Sequence, residues 1–317
     1  MHYLKFSKDS YRTALFIPIM LIAIVYTSCT ERQKEKDSLS PKVAAKKHRL
    51  SQEFKAYWYN GTAEITSYSL EQARYGELRK GNAVLIYVTE PFNADKQVKA
   101  EQHNANNIPV LKLNSTKKFL TGIYPYSIMT SSFYPVNREG HALKITNSVQ
   151  EWCGHVFTQL NNRDQFEISS FSYFESEGDK AFSLPKETLE NEIWNMIRVH
   201  PEKLPTGNIN IVPSFEFLRL NHKEVKSYKA EASLKKEGDW TIYTVHYPGL
   251  QRTLKIQFSA AFPYTIEGWT DSYTSGFGTN AKTLTSTAKK VSRLNTAYWR
   301  ENKNSDLFLR DSLGLQK

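Results

Sequence analysis

The segment WTIYTVHYPGLQRTLKIQF, residues 240–258, indicates the fold class more clearly than any other part of the chain. Two strand-like runs, residues 240–247 and 250–258, meet at Pro248-Gly249, a dipeptide typical of turns. Such an arrangement predicts a β-hairpin. The composition agrees, because 18 Tyr and 17 Phe favour strands over helices.

Working outward from this hairpin, strand-like runs occupy most of the chain after residue 60. Successive strands with tight turns predict an antiparallel, mainly β architecture. Several runs exceed the usual strand length of about 5–6 residues, so we expect a strongly curved sheet or partial barrel. Residues 142–160 are predicted to form one long strand, bent at Gly154. The other predicted strands cover residues 63–68, 83–90, 110–114, 166–174, 209–213, 214–220, 227–234 and 264–273. Residues 119–136 are also strand-like, but Pro125 and Pro135 are expected to prevent central-strand pairing at those points.

Two or three helices are expected to pack on this sheet. Residues 185–199 begin with Pro185, place apolar residues at helical spacing and end before Pro201. A short helix is predicted over residues 47–59 and a final amphipathic helix over residues 282–299. The predicted organisation is a signal peptide (1–28), a lipidated tether (29–50), a β-rich globular domain (51–300) and a frayed tail (301–317).

The first 28 residues have the pattern of a secretory signal peptide. A basic segment precedes ALFIPIMLIAIV, residues 14–25, which is too short to span a bilayer core needing roughly 20 apolar residues. Thr27-Ser28-Cys29 then resembles a lipobox, although Tyr26 stands where an aliphatic residue is usual. We therefore predict cleavage before Cys29 and lipidation of its thiol, which would anchor the protein in the cell envelope, in the outer membrane.

Residues 30–50 (TERQKEKDSLSPKVAAKKHRL) are charged and poor in large apolar groups, which predicts a flexible tether. The chain carries a formal net charge of +10, spread along its length. Such a basic surface suits anionic lipid or acidic polysaccharide. An exported protein rarely meets nucleic acid, so we expect no nucleic-acid partner. The side of the membrane on which the domain stands is left open.

Glu151-Trp152-Cys153-Gly154-His155 is the first candidate for chemistry. On a single strand, Glu151, Cys153 and His155 would share one face, with successive members about 7 Å apart. A thiol beside an imidazole and a carboxylate could be an activated nucleophile. The alternative is a buried cysteine in the β core beside a hydrogen-bonded histidine. With Cys29 lipidated, Cys153 has no partner for a disulfide.

The remaining motifs give weaker signals. The histidines show no H-x-H or H-E-x-x-H spacing, so no metal site and no cofactor is predicted. Residues 275–283 (SGFGTNAKT) lack the spacing of a phosphate-binding loop. Glu267 and Asp271 flank Trp269 and could form a glycosidase-like pair, but solvated carboxylates are the simpler reading. The aromatic clusters at residues 124–126 and 133–135 either pack in the core or bind glycans, amphiphiles or proteins.

Three stretches carry a family resemblance: residues 57–90 (YWYNGTAEITSYSLEQARYGELRKGNAVLIYVTE), 121–135 (TGIYPYSIMTSSFYP) and 149–163 (VQEWCGHVFTQLNNR). They resemble a family of Bacteroidota (flavobacterial) envelope lipoproteins of unknown function, whose members often carry the label "septum formation inhibitor Maf". Maf proteins themselves are small cytoplasmic nucleotide pyrophosphatases with an Arg-Arg motif. This chain has no Arg-Arg dipeptide and is predicted to be β-rich and exported, so the label's activity is not transferred.

The sequence thus leads to three hypotheses about function. The first is a non-enzymatic, lipid-anchored envelope protein whose curved β domain binds an amphiphile, a glycan or a protein partner. The second is a thiol- or histidine-dependent hydrolase centred on Cys153 and His155. The third is the nucleotide pyrophosphatase that the Maf label implies, which export from the cytoplasm disfavours.

Overall fold

The computed structural model describes residues 49–315. The predicted signal peptide, the lipidation at Cys29 and most of the predicted tether lie outside these residues. The described residues belong to one compact unit, Ala45–Lys317. They contain one sheet of sixteen strands and four α-helices, so the predicted mainly β, antiparallel class is confirmed, with one helix more than expected.

The strands β1 to β9 are Ala63–Arg74, Glu77–Asn93, Val98–Lys99, Ile108–Thr121, Tyr124–Pro135, Lys144–Glu151, Gly154–Asn162, Phe166–Ser172 and Lys180–Leu184. The strands β10 to β16 are Thr188–Leu189, Gly207–Val212, Tyr228–Glu237, Trp240–Tyr247, Arg252–Ser259, Ile266–Ser275 and Lys282–Thr296. The helices α1 to α4 are Gln52–Trp58, Glu190–Val199, Phe215–Leu220 and Phe308–Ser312.

The sheet consists of two antiparallel meanders that join where β16 pairs with β1. Its strand order is β10-β11-β12-β13-β14-β15-β16-β1-β2-β4-β5-β6-β7-β8-β9, and β3 pairs with β2 beside this path. The predicted hairpin is present as β13 and β14, where Tyr243 pairs with Ile256 and Val245 with Leu254. These four side chains are buried on one face of the sheet, because residues that alternate along a strand point to the same face.

Connectivity requires the sheet to curl. At about 4.8 Å per strand, fifteen strands side by side would place β10 and β9 about 67 Å apart if flat. However, β9 ends at Leu184 and β10 begins at Thr188, and four residues of extended chain span at most about 14 Å. The two edges of the sheet therefore lie close together without pairing, and the sheet does not close into a barrel.

Helix α2 lies inside this curl. Ile193 and Ile197 are fully buried, and the side-chain amide of Asn195 donates to the carbonyl of Leu111 on β4 at 2.8 Å. The opposite meander reaches the same helix, because Arg252 on β14 donates to Glu190 at 2.6 and 2.8 Å. A ten-residue helix is only about 15 Å long, so contacts with both meanders show that the sheet wraps around it.

The C-terminal turn of α2 is held by a buried ion pair with the sheet. Arg198 donates two hydrogen bonds to Glu64 on β1, at 2.6 and 2.7 Å, and a third to the carbonyl of Pro263 at 2.9 Å. Its guanidinium also lies 4.7 Å from the ring centroid of Tyr87 and 4.9 Å from that of Trp58. The stacked rings and the carboxylate replace water around a charge that is otherwise costly to bury.

Several predictions about secondary structure were wrong. Within the predicted helix 282–299, residues 282–296 form β16, because pairing with β1 and β15 on both sides satisfies the backbone in an extended form. Residues 214–220, predicted as a strand, form α3. Its N-cap is Ser214, whose side-chain oxygen accepts a hydrogen bond from the backbone of Phe217 at 3.3 Å.

Two boundaries also differ. Helix α2 begins at Glu190 instead of Pro185, since Thr188–Leu189 pairs with β11 as β10, the one parallel pair among the described strands. The tail, expected to be frayed, ends in α4 and returns to the sheet. Leu313 and Leu315 are buried in a small apolar cluster with Ile65 and Val84. No helix in residues 49–315 is long and apolar enough to cross a membrane.

Candidate functional site

Residues 151–155 form the tip of a hairpin, not part of one long strand. Trp152 and Cys153 make the turn between β6 and β7, where Glu151 pairs with Gly154 and Gln150 with His155. Glu151, Cys153 and His155 therefore do not share one strand face, and that prediction is wrong. Cys153 is exposed, so its alternative placement in a buried core is also wrong.

The environment of Cys153 does not activate its thiol. The Glu151 carboxylate accepts a hydrogen bond from the backbone of Cys153 at 2.6 Å and lies against the side chain. Hydrogen bonding to this carboxylate, together with its negative charge, raises the pKa of the Cys153 thiol. A nucleophilic cysteine needs the opposite, a positive neighbour that stabilises the thiolate.

The other predicted candidates are also separated or buried. Glu267 forms an ion pair with Lys290, whereas Asp271 turns to Arg252, so the two carboxylates do not act on one site. The segment 275–283 connects β15 to β16 and leads into a strand, so it has no helix with which to bind phosphate. Within the aromatic clusters, Tyr126 and Tyr134 are buried in the main core.

A polar cluster lies inside the curled sheet near the start of α2. Arg252 bridges Glu190 and Asp271, with distances to Asp271 of 2.8 and 2.9 Å, and Tyr247 donates to Glu190 at 2.6 Å. Burial by itself raises the pKa of both carboxyls. The charge of Arg252 outweighs burial at Glu190, whose pKa is lowered, but not at Asp271, whose pKa is raised.

The cavity beside this cluster is about 50 Å³ in volume. One water needs about 10–15 Å³ of such a cavity, so the cavity has room for a few waters and not for a sugar or a nucleotide. Gln72 and Ser132 line the cavity and each has a buried polar atom without a protein partner, which such waters would satisfy. We therefore interpret the cluster as the anchor of α2.

A much larger groove of about 680 Å³ lies between the β9 edge of the sheet and α3. Its volume falls within the range of about 300–1,000 Å³ that is typical of small-molecule sites. One wall is formed by β7, β8 and β9, and the other by α3 and the segment that follows it. The apolar side chains that line it are Val156, Phe182, Leu184, Phe215, Leu218 and Val225.

Charged residues surround this apolar lining, and we call the whole feature the basic-rimmed groove. Its rim has four cations (Lys180, Arg219, Lys223 and Lys226) and two carboxylates (Glu177 and Glu224), together with His222. Lys226 pairs with Glu224 at 2.6 Å. Lys180 and Lys223 have no ion-pair partner among the described residues, so the rim has an excess of positive charge.

One carboxylate links the two walls of the groove. Glu177, in the turn between β8 and β9, accepts from Arg219 on α3 at 2.9 Å and lies 3.1 Å from Nδ1 of His222. Ser172 also donates to it at 2.9 Å. Burial alone raises the pKa of Glu177, but hydrogen bonds from His222 and Ser172 and the charge of Arg219 hold it below its usual value. We call this contact the Glu177 latch.

A second titratable pair lies at the start of α2. The Nδ1 of His141 is 2.8 Å from Glu192, which also accepts from the backbone of Ala142 at 2.6 Å and of Leu189 at 3.1 Å. Burial lowers the pKa of His141, but the Glu192 carboxylate more than compensates and raises it. Because Glu192 binds backbone groups on both sides, the pair joins the helix to the loop after β5.

Residues 49–315 contain no group of three or more His, Cys, Asp or Glu side chains placed to hold a metal ion. The chain matches no protein-family model, no curated protein and no solved structure. The family resemblance seen in the sequence therefore stays a prediction.

None of the residues of the groove was singled out from the sequence. Two signals were available: the N-cap at Ser214 before an apolar turn, and the basic run RLNHKEVKSYK at residues 219–229. The first predicts α3, and the second places positive charge directly after it. Neither signal reveals that β9, more than thirty residues earlier, forms the opposite wall.

Proposed function

We propose that this protein is a lipid-anchored envelope protein, held by Cys29, that binds an anionic amphiphile in the basic-rimmed groove. The apolar tail would lie against Phe182, Leu184 and the buried face of α3, and the head group would meet Lys180 and Lys223. The observation that carries this proposal is a groove of about 680 Å³ with an apolar lining and a net positive rim.

The physical chemistry of the groove favours an amphiphile over the glycan or protein partner that the sequence also allowed. Burying hydrocarbon gains roughly 25 cal/mol per Å² of apolar surface removed from water, which gives a ligand with a long tail most of its affinity. A glycan site would need many convergent polar groups, whereas most of the surface exposed inside this groove is apolar. The cations then select for a negatively charged head group.

The proposed location rests on the sequence of the first 50 residues. A signal peptide, a lipobox cysteine and a charged tether favour export and attachment to a membrane, with the outer membrane as the proposed site. Amphiphiles are abundant there. The thiol hydrolase alternative gains no support, since the pKa of Cys153 is raised rather than lowered.

Binding can be tested with purified residues 45–317, which correspond to the compact unit and its own core. The probe is a fluorescent dodecanoate analogue, displaced by dodecanoate or by dodecanol. We expect saturable binding, with dodecanoate displacing the probe at a lower concentration than dodecanol. Ser170→Trp should abolish binding, because Ser170 lines the groove and indole would fill it.

The charge of the rim is tested by the double variant Lys180→Glu/Lys223→Glu. It should weaken dodecanoate binding by about tenfold or more while changing dodecanol binding little, since only the anion loses an attraction. The matched control is Lys236→Glu, an exposed lysine on β12 that does not line the groove. Absence of probe binding, or unchanged binding by Ser170→Trp, would refute the proposal.

A further inference from the structure

The antiparallel order of the sheet brings a particular set of turns to one end. In a meander, every second connection lies at the same end, so the turns β1–β2, β4–β5, β6–β7 and β8–β9 lie together. The pairing of β16 with β1 adds the turns β15–β16 and β13–β14 to this group, and the backbone of Gly76 donates to Ser275 across the first of these at 3.3 Å. The helix α1 and residue 49 are at the opposite end, where β1 begins.

Four of these six turns carry a large apolar side chain that projects into solvent. The exposed fractions are 83% for Ile123, 68% for Trp152, 79% for Tyr173 and 65% for Phe277. We call these four residues the apolar tips. At the opposite end, the tight connections 163–165 and 238–239 carry Asp164 and Asp239, and the apolar side chains of Val98 and Trp240 there are less exposed, at 45% and 40%. Large exposed apolar side chains gathered from separate turns are typical of an interaction surface.

The hairpins of Ile123 and Phe277 are rich in cations, whereas the turns that carry Trp152 and Tyr173 contain Glu151, Glu175, Glu177 and Asp179. The whole of residues 102–138, which includes the Ile123 hairpin, contains no Asp or Glu but has four Lys or Arg. Residues 272–300, which include the Phe277 turn, also contain no Asp or Glu and have five Lys or Arg. Lys118 and Lys282 are exposed, have no ion-pair partner among the described residues and lie five residues from Ile123 and Phe277 in the chain, so at these two hairpins the surface complements a bilayer whose head groups are anionic.

The tips also adjoin the mouth of the groove. Tyr173 and Glu177 lie in the same turn, and Glu177 forms the latch to α3. Gly154 permits the close packing of this turn on the β6–β7 hairpin, because a Cβ at residue 154 would lie 2.9 Å from the ring of Tyr173. A partner surface that contacts Tyr173 would therefore also contact the turn between β8 and β9, which borders the groove.

We propose that the apolar tips insert into the head-group layer of a membrane containing anionic phospholipid, and that the amphiphile passes between this membrane and the basic-rimmed groove. The second half rests on the proposed function. Trp and Tyr favour the interface between head groups and hydrocarbon, and Ile and Phe favour the layer just below it. Separate apolar side chains on short turns can each insert into a fluid lipid layer, whereas a protein interface usually has one continuous, complementary patch.

The test uses Cys153, which neighbours Trp152 and is the single thiol in residues 45–317. An environment-sensitive nitrobenzoxadiazole label on Cys153 should shift to the blue when vesicles of phosphatidylethanolamine and phosphatidylglycerol are added. Nitroxide lipids labelled near the head group should quench it. Vesicles of phosphatidylcholine alone should bind more weakly, and added salt should reduce the difference, since it screens exposed charges.

The variant Ile123→Ser/Trp152→Ser should weaken binding to the anionic vesicles by about tenfold or more, because two large apolar side chains no longer leave water. The matched control is Val98→Ser/Trp240→Ser, which removes two exposed apolar side chains at the opposite end of the strands and should bind as the parent does. Equal weakening by both variants, or no response of the label to vesicles, would overturn the inference.

The two proposals fail in different ways. Loss of vesicle binding with dodecanoate binding retained from solution would remove the membrane surface and leave the proposed function standing. Vesicle binding without any dodecanoate binding would remove the proposed function and leave the surface standing. Self-association in sedimentation, abolished by Ile123→Ser/Trp152→Ser and without vesicle binding, would assign the tips to a second copy of the chain and overturn the membrane inference.

Discussion

The buried pair of Arg198 and Glu64 allows the sharpest test of how α2 is held in the sheet. Both side chains are about 1% exposed, and the Glu64 carboxylate accepts two hydrogen bonds from Arg198 as well as one from Tyr57. We consider Glu64→Gln, Arg198→Met and the double variant. In each single variant one buried charge loses its partner, whereas the double variant buries no charge at this position.

The expected magnitude follows from this geometry. Removing one partner of a buried pair costs about 3–5 kcal/mol, mainly because the remaining charge stays desolvated. That is a large part of a total stability of about 5–15 kcal/mol, and it should lower the Tm by roughly 6–15 °C. The double variant should cost no more than either single variant, which corresponds to a coupling energy of about 3 kcal/mol or more.

The assay is urea unfolding of residues 45–317, followed by circular dichroism and by tryptophan fluorescence, with coincident transitions required. The control is Glu237→Gln, which breaks the exposed pair of Lys235 and Glu237 at a similar distance of 2.8 Å. An exposed pair should change stability by no more than about 0.5 kcal/mol. The reasoning is refuted if the single variants cost less than about 1 kcal/mol, or if their effects add.

Three further predictions concern packing, pH and the groove. Gly268→Ala should destabilise the protein by about 1–3 kcal/mol in urea unfolding, since the added Cβ would lie 2.4 Å from a backbone oxygen. The control is Gly249→Ala, whose added Cβ meets no atom within 4 Å and which should change the stability little. Equal effects of the two variants would contradict this prediction. Because the folded pKa of His141 is raised, its contribution to stability is complete below the unfolded value of 6.5 and is lost as pH rises through the folded pKa. The free energy of unfolding should therefore fall from pH 6 to pH 8, and it should fall less steeply in Glu192→Gln. If both proteins show the same dependence on pH, the prediction about His141 is wrong. Glu177→Gln should open the latch and speed dissociation of bound dodecanoate in stopped flow, and a slower rate would argue that the latch does not restrain the groove.

The sequence predicted the fold class because its signals are local. Alternation along β13 and β14, with a turn at Pro248-Gly249, indicates a hairpin with one buried face, whichever elements pack against that face. The helical spacing around Ile193 similarly indicated α2. Prediction failed where two local patterns coexist. The apolar residues of β16 also fit a helix, and only the hydrogen bonds offered by β1 and β15 decide in favour of a strand.

The candidate chemistry shows the same limit. Cys153 and His155 were grouped because strand periodicity would place them on one face. Trp152-Cys153 instead forms a turn, so the hairpin reverses between β6 and β7 and exposes the thiol beside Glu151. A two-residue turn inside a segment predicted to be one strand therefore changes which side chains meet.

The amino-acid sequence determined by itself that the chain is β-rich and antiparallel, and it predicts export and lipidation at Cys29. The tertiary structure alone decided that β9 and α3 face each other across an apolar gap, and that Ile123, Trp152, Tyr173 and Phe277 share one end. Periodicity describes neighbours along the chain, whereas these groupings depend on strand order and on how far a sheet wrapped around α2 can curl. The curl is set by the buried contacts of α2 with both meanders, and no local pattern encodes contacts between residues so far apart in sequence.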